Sequence, residues 1–378
     1  MFLEYAVRGA WAPVLSARLL GPLGMTGKQV GWIYGAVPLA FIVAPLAAGV
    51  IVDRWLPTQW VLAAAHLGSG VALLLATWQR RFPGLLALIA VHALCFAPTV
   101  GLVNSLAFAH MTNAESEFYW VRVWGSISWV LAGWALAVWR RSGKTLVLGS
   151  DALLLAALLS FVTAAFCAFC LPHTPPSTGR PPWTAALAIL CDVKIVVFLV
   201  ISFVVTAQLQ YYYMGTSRFL EEIGFRTASI PAIMTVAQLA EIVAEALAMP
   251  HILPWLGYEW TLMMGVVLWA LLYLIYLLGR PRWLVVACMA LHGFAFAFFL
   301  DAASIYVNRI APQELRGSAQ SLYAVVTLGL GLFVGTQCTG RVLDWLRSEE
   351  GHRWRAIFAI PCAVLVVCAI AFVVFFEE

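Results

Sequence analysis

Charged and polar side chains interrupt several long apolar segments of this 378-residue chain, and some of them recur at helical spacing. Arg122, Ser126 and Trp129 stand at i, i+4 and i+7, so they share one face of a helix. That face would present a cation, a hydroxyl group and an aromatic ring to a bound molecule. Because a charge in an apolar segment is costly to desolvate, Arg122 is a candidate functional residue.

Two later segments carry polar residues at similar spacing. Gln210 and Tyr213 share one face, and Gln238, Glu241 and Glu245 recur at i, i+3 and i+7. A buried carboxylate that gains a proton loses its desolvation penalty, which makes Glu241 a candidate for proton exchange.

A further polar face is formed by His292, Phe296 and Phe299, and Asp301 lies further along the same segment. Amides, hydroxyl groups and rings on several helices suit an uncharged, hydrogen-bonding solute that contains a ring. They would line a water-filled cavity between the helices. The alternative interpretation is that these Gln, Ser and His side chains only join neighbouring helices.

A carboxylate and a cation also stand near the start of the chain. Glu4 and Arg8 are one helical turn apart and could neutralise each other, either as an interfacial ion pair or as functional groups. His66 and His92 are interpreted as structural residues.

The sequence lacks the motifs of several other kinds of chemistry. It contains no H-E-x-x-H, Walker or G-x-S-x-G pattern, which argues against an enzyme and against an ATP-driven pump. The eight cysteines show no metal-ligand spacing with histidine, and a net charge of +4 does not indicate nucleic-acid binding. The sequence therefore predicts no metal and no cofactor.

The segments that hold the polar faces are hydrophobic enough to lie in a membrane. Charged residues are 11% of the chain and hydrophobic residues 63%, whereas about 25% of a typical soluble domain is charged. Residues 59–78 and 85–109 contain no Asp, Glu, Lys or Arg, and about 20 helical residues cross a hydrocarbon core. Backbone groups in lipid must pair internally, so these segments are predicted to be helices.

Eleven breaks between apolar blocks divide the chain into twelve predicted spans. The break at 173–189 is rich in proline, lies near the midpoint and is predicted to be a linker. With six spans on each side, it lies on the same side of the membrane as the two termini. The predicted domains are therefore a six-helix bundle at 1–172, this linker, and a second six-helix bundle at 190–378. Two such halves are typical of major facilitator carriers, although other twelve-span folds fit the count as well.

The distribution of Lys and Arg bears on the orientation. An even number of spans puts both termini on the same side of the membrane. With a cytoplasmic N-terminus most of these cations would lie in outside loops, so the positive-inside rule favours the opposite orientation.

Five stretches of the sequence resemble the nucleoside:proton symporters of the major facilitator superfamily. They are GVIVDRWLPTQWVLAAAH (49–66), APTVGLVNSLAF (97–108), VRVWGSISW (121–129), AQLAE (237–241) and SAQSLY (318–323). The resemblance extends over nearly the whole chain. It implies an all-α membrane protein with the major facilitator fold and about twelve transmembrane helices, placed in the inner membrane with cytoplasmic termini.

The resemblance also implies roles for individual residues. The positions that match the family's nucleoside site are Arg122, Ser126, Trp129, Gln210, Tyr213, Gln238, Glu241, His292 and Phe296. The family has asparagine where this chain has Tyr213, and tyrosine where it has His292. Asp53 and Arg54 match the superfamily's loop motif, which locks the two halves on the cytoplasmic side.

One departure from the family concerns proton coupling. The family's aspartate in the tenth span, which is implicated in coupling, corresponds to Ala297. Asp301, one turn further along, could replace it, and Glu241 is the other candidate for the protonatable group.

The sequence therefore predicts a secondary transporter that imports nucleosides by proton symport through alternating access. It would work as a monomer in the lipid bilayer, with a nucleoside and protons as its partners and no nucleic acid. One alternative is a carrier, such as a uniporter, of another polar ring solute such as a sugar or nucleobase. Another is a membrane sensor that binds a solute without transporting it.

Overall fold

The protein is almost entirely α-helical in a computed structural model that describes residues 1–109, 114–143, 149–174, 193–310, 316–349 and 351–375. The side chains of Asp53 and Arg54 lie outside the described residues, as does the predicted linker from residue 175 onward. The roles and the boundaries expected for them stay predictions.

The first of two compact units comprises Met1–Gly179 together with Gly224–Thr235. Its helices are α1 (Phe2–Trp11), α2 (Leu15–Leu20), α3 (Gly27–Arg54), α4 (Thr58–Trp78), α5 (Phe82–Ala109), α6 (Ala114–Arg141) and α7 (Asp151–Phe169). Helix α4 packs on α5 and α7, α3 packs on α5, and α1 packs on α6 and α7. The first helix is therefore in contact with the helix that carries Arg122.

The break between α1 and α2 contains Pro13, which has no backbone N–H and cannot continue the helical hydrogen-bond ladder. The hydroxyl group of Tyr34 donates to the carbonyl oxygen of Ala12 over 2.8 Å and accepts from the N–H of Ser16 over 3.0 Å. One buried side chain thus pairs backbone groups on both sides of the break, as buried backbone groups require.

The second unit comprises Arg180–Ile223 and Val236–Glu378. Its elements are α8 (Val193–Glu222), α9 (Ile230–Val243, of which the residues before Val236 belong to the first unit), α10 (Met249–Leu278), α11 (Arg282–Ala287), α12 (Met289–Phe296), α13 (Ala302–Ile310), α14 (Arg316–Ala324), α15 (Leu332–Trp345), β1 (Arg347–Ser348), β2 (Gly351–His352) and α16 (Trp354–Phe375). Helix α8 packs on α15 and α16, and α10 packs on α12 and α16. The two short strands pair antiparallel, with Arg347 opposite His352.

Three π-helical turns interrupt the described helices of the second unit, at Ala244–Ala248, Ala297–Asp301 and Val325–Gly331. Such turns are rare and are found frequently at functional sites. The first follows the helix that carries Glu241, and the second begins directly after Phe296. Both therefore adjoin residues that the sequence predicts to bind solute.

Within the described ranges, nine helical stretches are long and apolar enough to cross a membrane. The longest, Ile230–Leu278, has 49 residues, and a helix of that length would be about 70 Å long, more than twice the thickness of a hydrocarbon core. Gly257 interrupts it with φ 74° and ψ 177°, a conformation that only glycine adopts at little cost. The stretch therefore makes two crossings.

Helix α3 and the kinked α1–α2 pair are the remaining crossings of the first unit. Each of the twelve predicted spans thus has a helical counterpart among the described residues. The predicted all-α membrane architecture with about twelve transmembrane helices is confirmed.

Candidate functional site

Arg122 of α6 lies over an aromatic ring of the first helix. Its guanidinium carbon is 4.6 Å from the centroid of the Tyr5 ring, within the range of a cation–π interaction. Gly125 makes room for this pair, because a Cβ there would lie 2.9 Å from Cδ2 of Tyr5 and 3.1 Å from Nη1 of Arg122. Tyr5 thus positions the cation that the sequence predicts to bind solute.

Trp129 is placed by a close approach of α1 to α6. A Cβ on Gly9 would lie 2.9 Å from both Cα and Cγ of Trp129, so the helices can touch here only because residue 9 has no side chain. The indole N–H of Trp129 is buried and has no hydrogen-bond partner among the described residues. Such a donor is costly unless a ligand or water completes its hydrogen bond. Ser126, on the same helix, is also buried.

His292 of α12 is held between aromatic side chains of the second unit. Its ring stacks on Tyr212 of α8, with 3.8 Å between the centroids and 13° between the planes. The indole N–H of Trp269, on α10, donates to Nδ1 of His292 over 3.1 Å. The other ring nitrogen, Nε2, is buried and has no hydrogen-bond partner in the described part of the chain.

Helix α12 packs against α9 at Gly293, the residue after His292. A Cβ on Gly293 would overlap the carbonyl oxygen of Ala237 and come within 2.5 Å of the backbone nitrogen of Glu241. Only glycine lets the two helices approach this closely. The contact therefore sets the distance between two of the predicted polar faces.

Helix α8 contributes the remaining predicted residues of the second unit. The ring of Tyr213 lies edge-on to His292, with the centroids 5.8 Å apart, and Gln210 is buried. Gln208 is buried as well, and neither atom of its side-chain amide has a hydrogen-bond partner among the described residues. An amide in this state is suited to a ligand that both donates and accepts hydrogen bonds.

The candidate protonatable residues lie at different depths of burial. Glu241 and Gln238 on α9 are buried, at 8% and 7% exposure. Asp301 is half-buried and ends the π-helical turn that Ala297 begins, and Ala297 itself is fully buried. Asp301 is therefore separated from Ala297 by one widened turn, and its suggested replacement of the family's aspartate stays a prediction.

Glu4 does not form the interfacial pair with Arg8 that the sequence suggests. It is 2% exposed, and its carboxylate lies 2.8 Å from His66 of α4 and accepts a hydrogen bond from Thr99 of α5. A cross-helix partner replaces the neighbour one turn away because α1 is buried among other helices. His66 is consequently a hydrogen-bond partner of Glu4.

Four residues of these arrangements were not predicted as site residues, namely Tyr5, Gln208, Tyr212 and Trp269. Of these four residues, only Gln208 could have been identified from the sequence, because a glutamine in an apolar segment is conspicuous. The three aromatic residues cannot be told from ordinary packing residues without knowing their partners.

Comparison with known proteins assigns the chain to a family. The sequence model of the nucleoside H+ symporter family matches residues 1–378. The putative nucleoside transporter YegT of Escherichia coli (strain K12) is 29% identical over 396 residues, which cover 100% of this chain and 92% of the relative. The nucleoside permease NupG of the same strain is 26% identical over 399 residues, which cover 100% of this chain and 94% of the relative.

The structure has a match over its full length as well. A crystal structure of the nucleoside transporter NupG superposes on it with a TM-score of 0.88 at 25% identity, covering 100% of this chain and 97% of that chain. The predicted major facilitator fold of a multi-pass membrane protein is thereby confirmed, and the relatives are transporters and permeases rather than enzymes. From its first residue to its last, the chain belongs to the nucleoside H+ symporter family.

Proposed function

We propose that this protein imports nucleosides by proton symport through alternating access, in the inner membrane and with both termini in the cytoplasm. The observation that carries the proposal is that two buried ring nitrogens have no hydrogen-bond partner among the described residues: Nε1 of Trp129 in the first unit, and Nε2 of His292 in the second, whose ring stacks on Tyr212. A nucleobase offers what such groups require, because it has hydrogen-bonding atoms on its edges and flat apolar faces. Membership of the nucleoside H+ symporter family supports the same substrate class.

Each predicted residue has a role in this proposal. Hydrogen bonds to the ribose and the base come from Arg122, Ser126, Gln210, Gln238, Glu241 and His292. Trp129, Tyr213 and Phe296 pack against the base. Asp53 and Arg54 lock the cytoplasmic side, and Asp301 is a second candidate for proton coupling.

Glu241 is the group we assign to proton coupling. Burial disfavours its charged form, so a proton taken up together with the substrate lowers the cost of carrying the carboxylate through an occluded state. A carrier that changes conformation only when the site holds both proton and nucleoside, or neither, is a symporter.

The decisive experiment is uptake of labelled uridine and adenosine into proteoliposomes, with and without an imposed pH gradient that is alkaline inside. We expect the gradient to drive accumulation above the external concentration. Equilibration without accumulation would indicate a uniporter, for which the replacement of the family's aspartate by Ala297 is the supporting feature. Binding without any flux would indicate a sensor.

The coupling role of Glu241 has its own test. Glu241→Gln keeps the hydrogen-bonding shape of the side chain and removes its ability to titrate, so we expect it to abolish accumulation driven by the pH gradient. Glu349→Gln, on an exposed residue beside the β-hairpin, is the matched control. Undiminished pH-driven accumulation in Glu241→Gln would contradict the assignment.

The orientation is tested by labelling single cysteines in a background from which the native cysteines have been removed. With cytoplasmic termini, a cysteine in place of the exposed Arg80 is accessible from outside, whereas one in place of Arg180 is shielded. The reverse pattern would support the orientation that the Lys and Arg distribution favours.

A further inference from the structure

A carboxylate, an imidazole and a hydroxyl group from three helices meet in the interior of the first unit. Oε2 of Glu4 on α1 lies 2.8 Å from Nε2 of His66 on α4, and the hydroxyl group of Thr99 on α5 donates to Oε1 of Glu4 over 2.6 Å. Glu4 is 2% exposed, and His66 and Thr99 are 0% exposed. Ionisable groups at such positions are expensive in a membrane protein, and they recur in proton pathways.

The hydroxyl group of Thr99 can serve both protonation states of Glu4. It lies 2.6 Å from Oε1 of Glu4 and also 2.6 Å from the carbonyl oxygen of Phe96. When Glu4 is ionised, Thr99 donates its hydrogen to the carboxylate. When Oε1 carries a proton, that proton is donated to the hydroxyl oxygen, and Thr99 turns its own hydrogen to Phe96. Each state therefore has a complete set of hydrogen bonds at Oε1.

The surroundings of His66 indicate where an added proton would be held. The neutral tautomer with its proton on Nε2 donates to the carboxylate of Glu4, and Nδ1 is buried without a hydrogen-bond partner among the described residues. A proton on Nδ1 would make a second donor with nothing to bind, whereas a proton on Oε1 of Glu4 has Thr99 as its acceptor. The carboxyl group is therefore the favoured holder, and the pair changes from a net charge of −1 to zero when it binds one proton.

Other charged and titratable groups act on this cluster from its own helix and from the helices packed against it. The Met1 amine and Cys167 interact electrostatically with Glu4, and His92 interacts with His66. Arg122 acts in turn on the Met1 amine, and Arg8 acts on His92.

We propose that Glu4, His66 and Thr99 form a proton-binding site in the first unit, with the exchangeable proton on Oε1 of Glu4. This inference deepens the proposed symport and rests on it, since the site supplies a coupling proton in addition to the one assigned to Glu241. The site is separate from the position of the family's aspartate, which Ala297 occupies.

Helix α1 links this site to the residues proposed to bind substrate. The guanidinium group of Arg122 lies over the ring of Tyr5, the residue after Glu4, and Gly9 contacts Trp129. A shift of α1 that accompanies protonation of Glu4 therefore displaces the supports of Arg122 and Trp129. Proton binding and nucleoside binding would be coupled through one rigid element.

The alternative is that the cluster only joins helices. A neighbouring set of buried contacts has that character, because the hydroxyl group of Ser160 donates to the carbonyl oxygen of His66 over 2.9 Å, and Ser69 is hydrogen-bonded to His92. A joining role needs hydrogen bonds but no titration. Glu4→Gln preserves the ability to form hydrogen bonds and removes the ability to bind a proton, so this variant separates a joining role from a proton-binding role.

The direct test is the pH dependence of the infrared spectrum of the purified full-length protein, in which a protonated carboxyl group gives its own C=O stretching band. We expect a band that titrates with pH in the wild-type protein, is lost in Glu4→Gln and is retained in Ser160→Ala. Thr99→Val should shift the midpoint of the same band, which covers the case in which Glu4→Gln does not fold. If all titrating carboxyl bands survive Glu4→Gln, or Thr99→Val leaves the midpoint unchanged, the proposal is overturned.

The second test measures transport in proteoliposomes. We expect Glu4→Gln to lose pH-driven uridine accumulation and to retain uridine binding, whereas Ser160→Ala keeps both. Unchanged accumulation in Glu4→Gln would overturn the coupling role. The infrared measurement needs no nucleoside, so a titrating Glu4 band in a wild-type protein that transports no nucleoside would support the proton site and contradict only the proposed function.

Discussion

Trp269 donates a hydrogen bond to Nδ1 of His292 over 3.1 Å, and this bond determines which nitrogen of the imidazole carries the proton. An indole nitrogen can only donate, so Nδ1 must accept and the proton lies on Nε2. A second proton on the ring would break the bond to Trp269. The pair therefore holds His292 as a neutral N–H donor.

Replacing Trp269 with phenylalanine should weaken nucleoside binding. The variant removes the bond to Nδ1, so the imidazole no longer has a fixed tautomer. A neutral hydrogen bond contributes about 1 kcal/mol, so the KM for uridine uptake should rise about fivefold. Trp283→Phe, on an exposed residue of α11, is the control. An equal change of KM in both variants would contradict the explanation.

Gly293→Ala should prevent α9 and α12 from packing as they do. The added methyl group would overlap the carbonyl oxygen of Ala237, and backbone atoms cannot move aside as a flexible side chain can. Overpacking of this kind costs about 1–3 kcal/mol, so the melting temperature should fall and uptake should be lost.

Gly101→Ala is the matched control for that variant. Apart from its chain neighbours and the backbone of its own helix, no atom of the described residues lies within 4 Å of a Cβ at this position. Alanine is the better helix former by about 1 kcal/mol, so this change should leave the melting temperature equal or higher. A fall of similar size in both variants, measured by thermal unfolding in detergent, would show that the contact with α9 is not the cause.

The sequence predicted the residues that stand out chemically, but not the side chains of other helices that contact them. Arg122, Glu241 and His292 are conspicuous because polar side chains in apolar segments are expensive. Trp269 is not conspicuous, because an aromatic residue in such a segment looks the same whether it faces lipid, a neighbouring helix or a ligand.

Glu4 illustrates the same limit for ion pairs. Helical spacing identifies only partners on the same helix, and it suggested Arg8, whereas the observed partner His66 is 62 residues away. The π-helical turns were likewise not predicted, since they are departures from the regular helix that the hydrophobic pattern assumes. The interruption at Gly257, by contrast, falls in one of the eleven predicted breaks between apolar blocks. The number of spans was predictable because it depends on composition and length alone.

Tyr5 should be important for nucleoside binding through its ring and not through its hydroxyl group. The face of the ring supports the guanidinium group of Arg122, so Tyr5→Phe should keep the affinity, whereas Tyr5→Leu should lower it. A cation–π contact of this kind contributes about 1 kcal/mol or more, so we expect about a fivefold weaker uridine binding in Tyr5→Leu. Equal affinities of the two variants, measured by scintillation proximity binding, would exclude this role.

Arg140 and Asp151 form a buried two-bond ion pair in the first unit, and breaking it should destabilise the protein strongly. Nε and Nη2 of Arg140 lie 2.8 Å and 2.9 Å from the two carboxylate oxygens, and the side chains are 7% and 1% exposed. Removal of one partner leaves a buried charge, which costs about 3–5 kcal/mol. Asp151→Asn should therefore lower the melting temperature markedly, whereas Arg141→Gln, on the exposed neighbour, should not.

The double variant Arg140→Met with Asp151→Leu should recover much of the lost stability, because no unpaired charge remains buried. If the double variant is as unstable as Asp151→Asn, the cost arises from lost shape in this region and not from the unpaired charge.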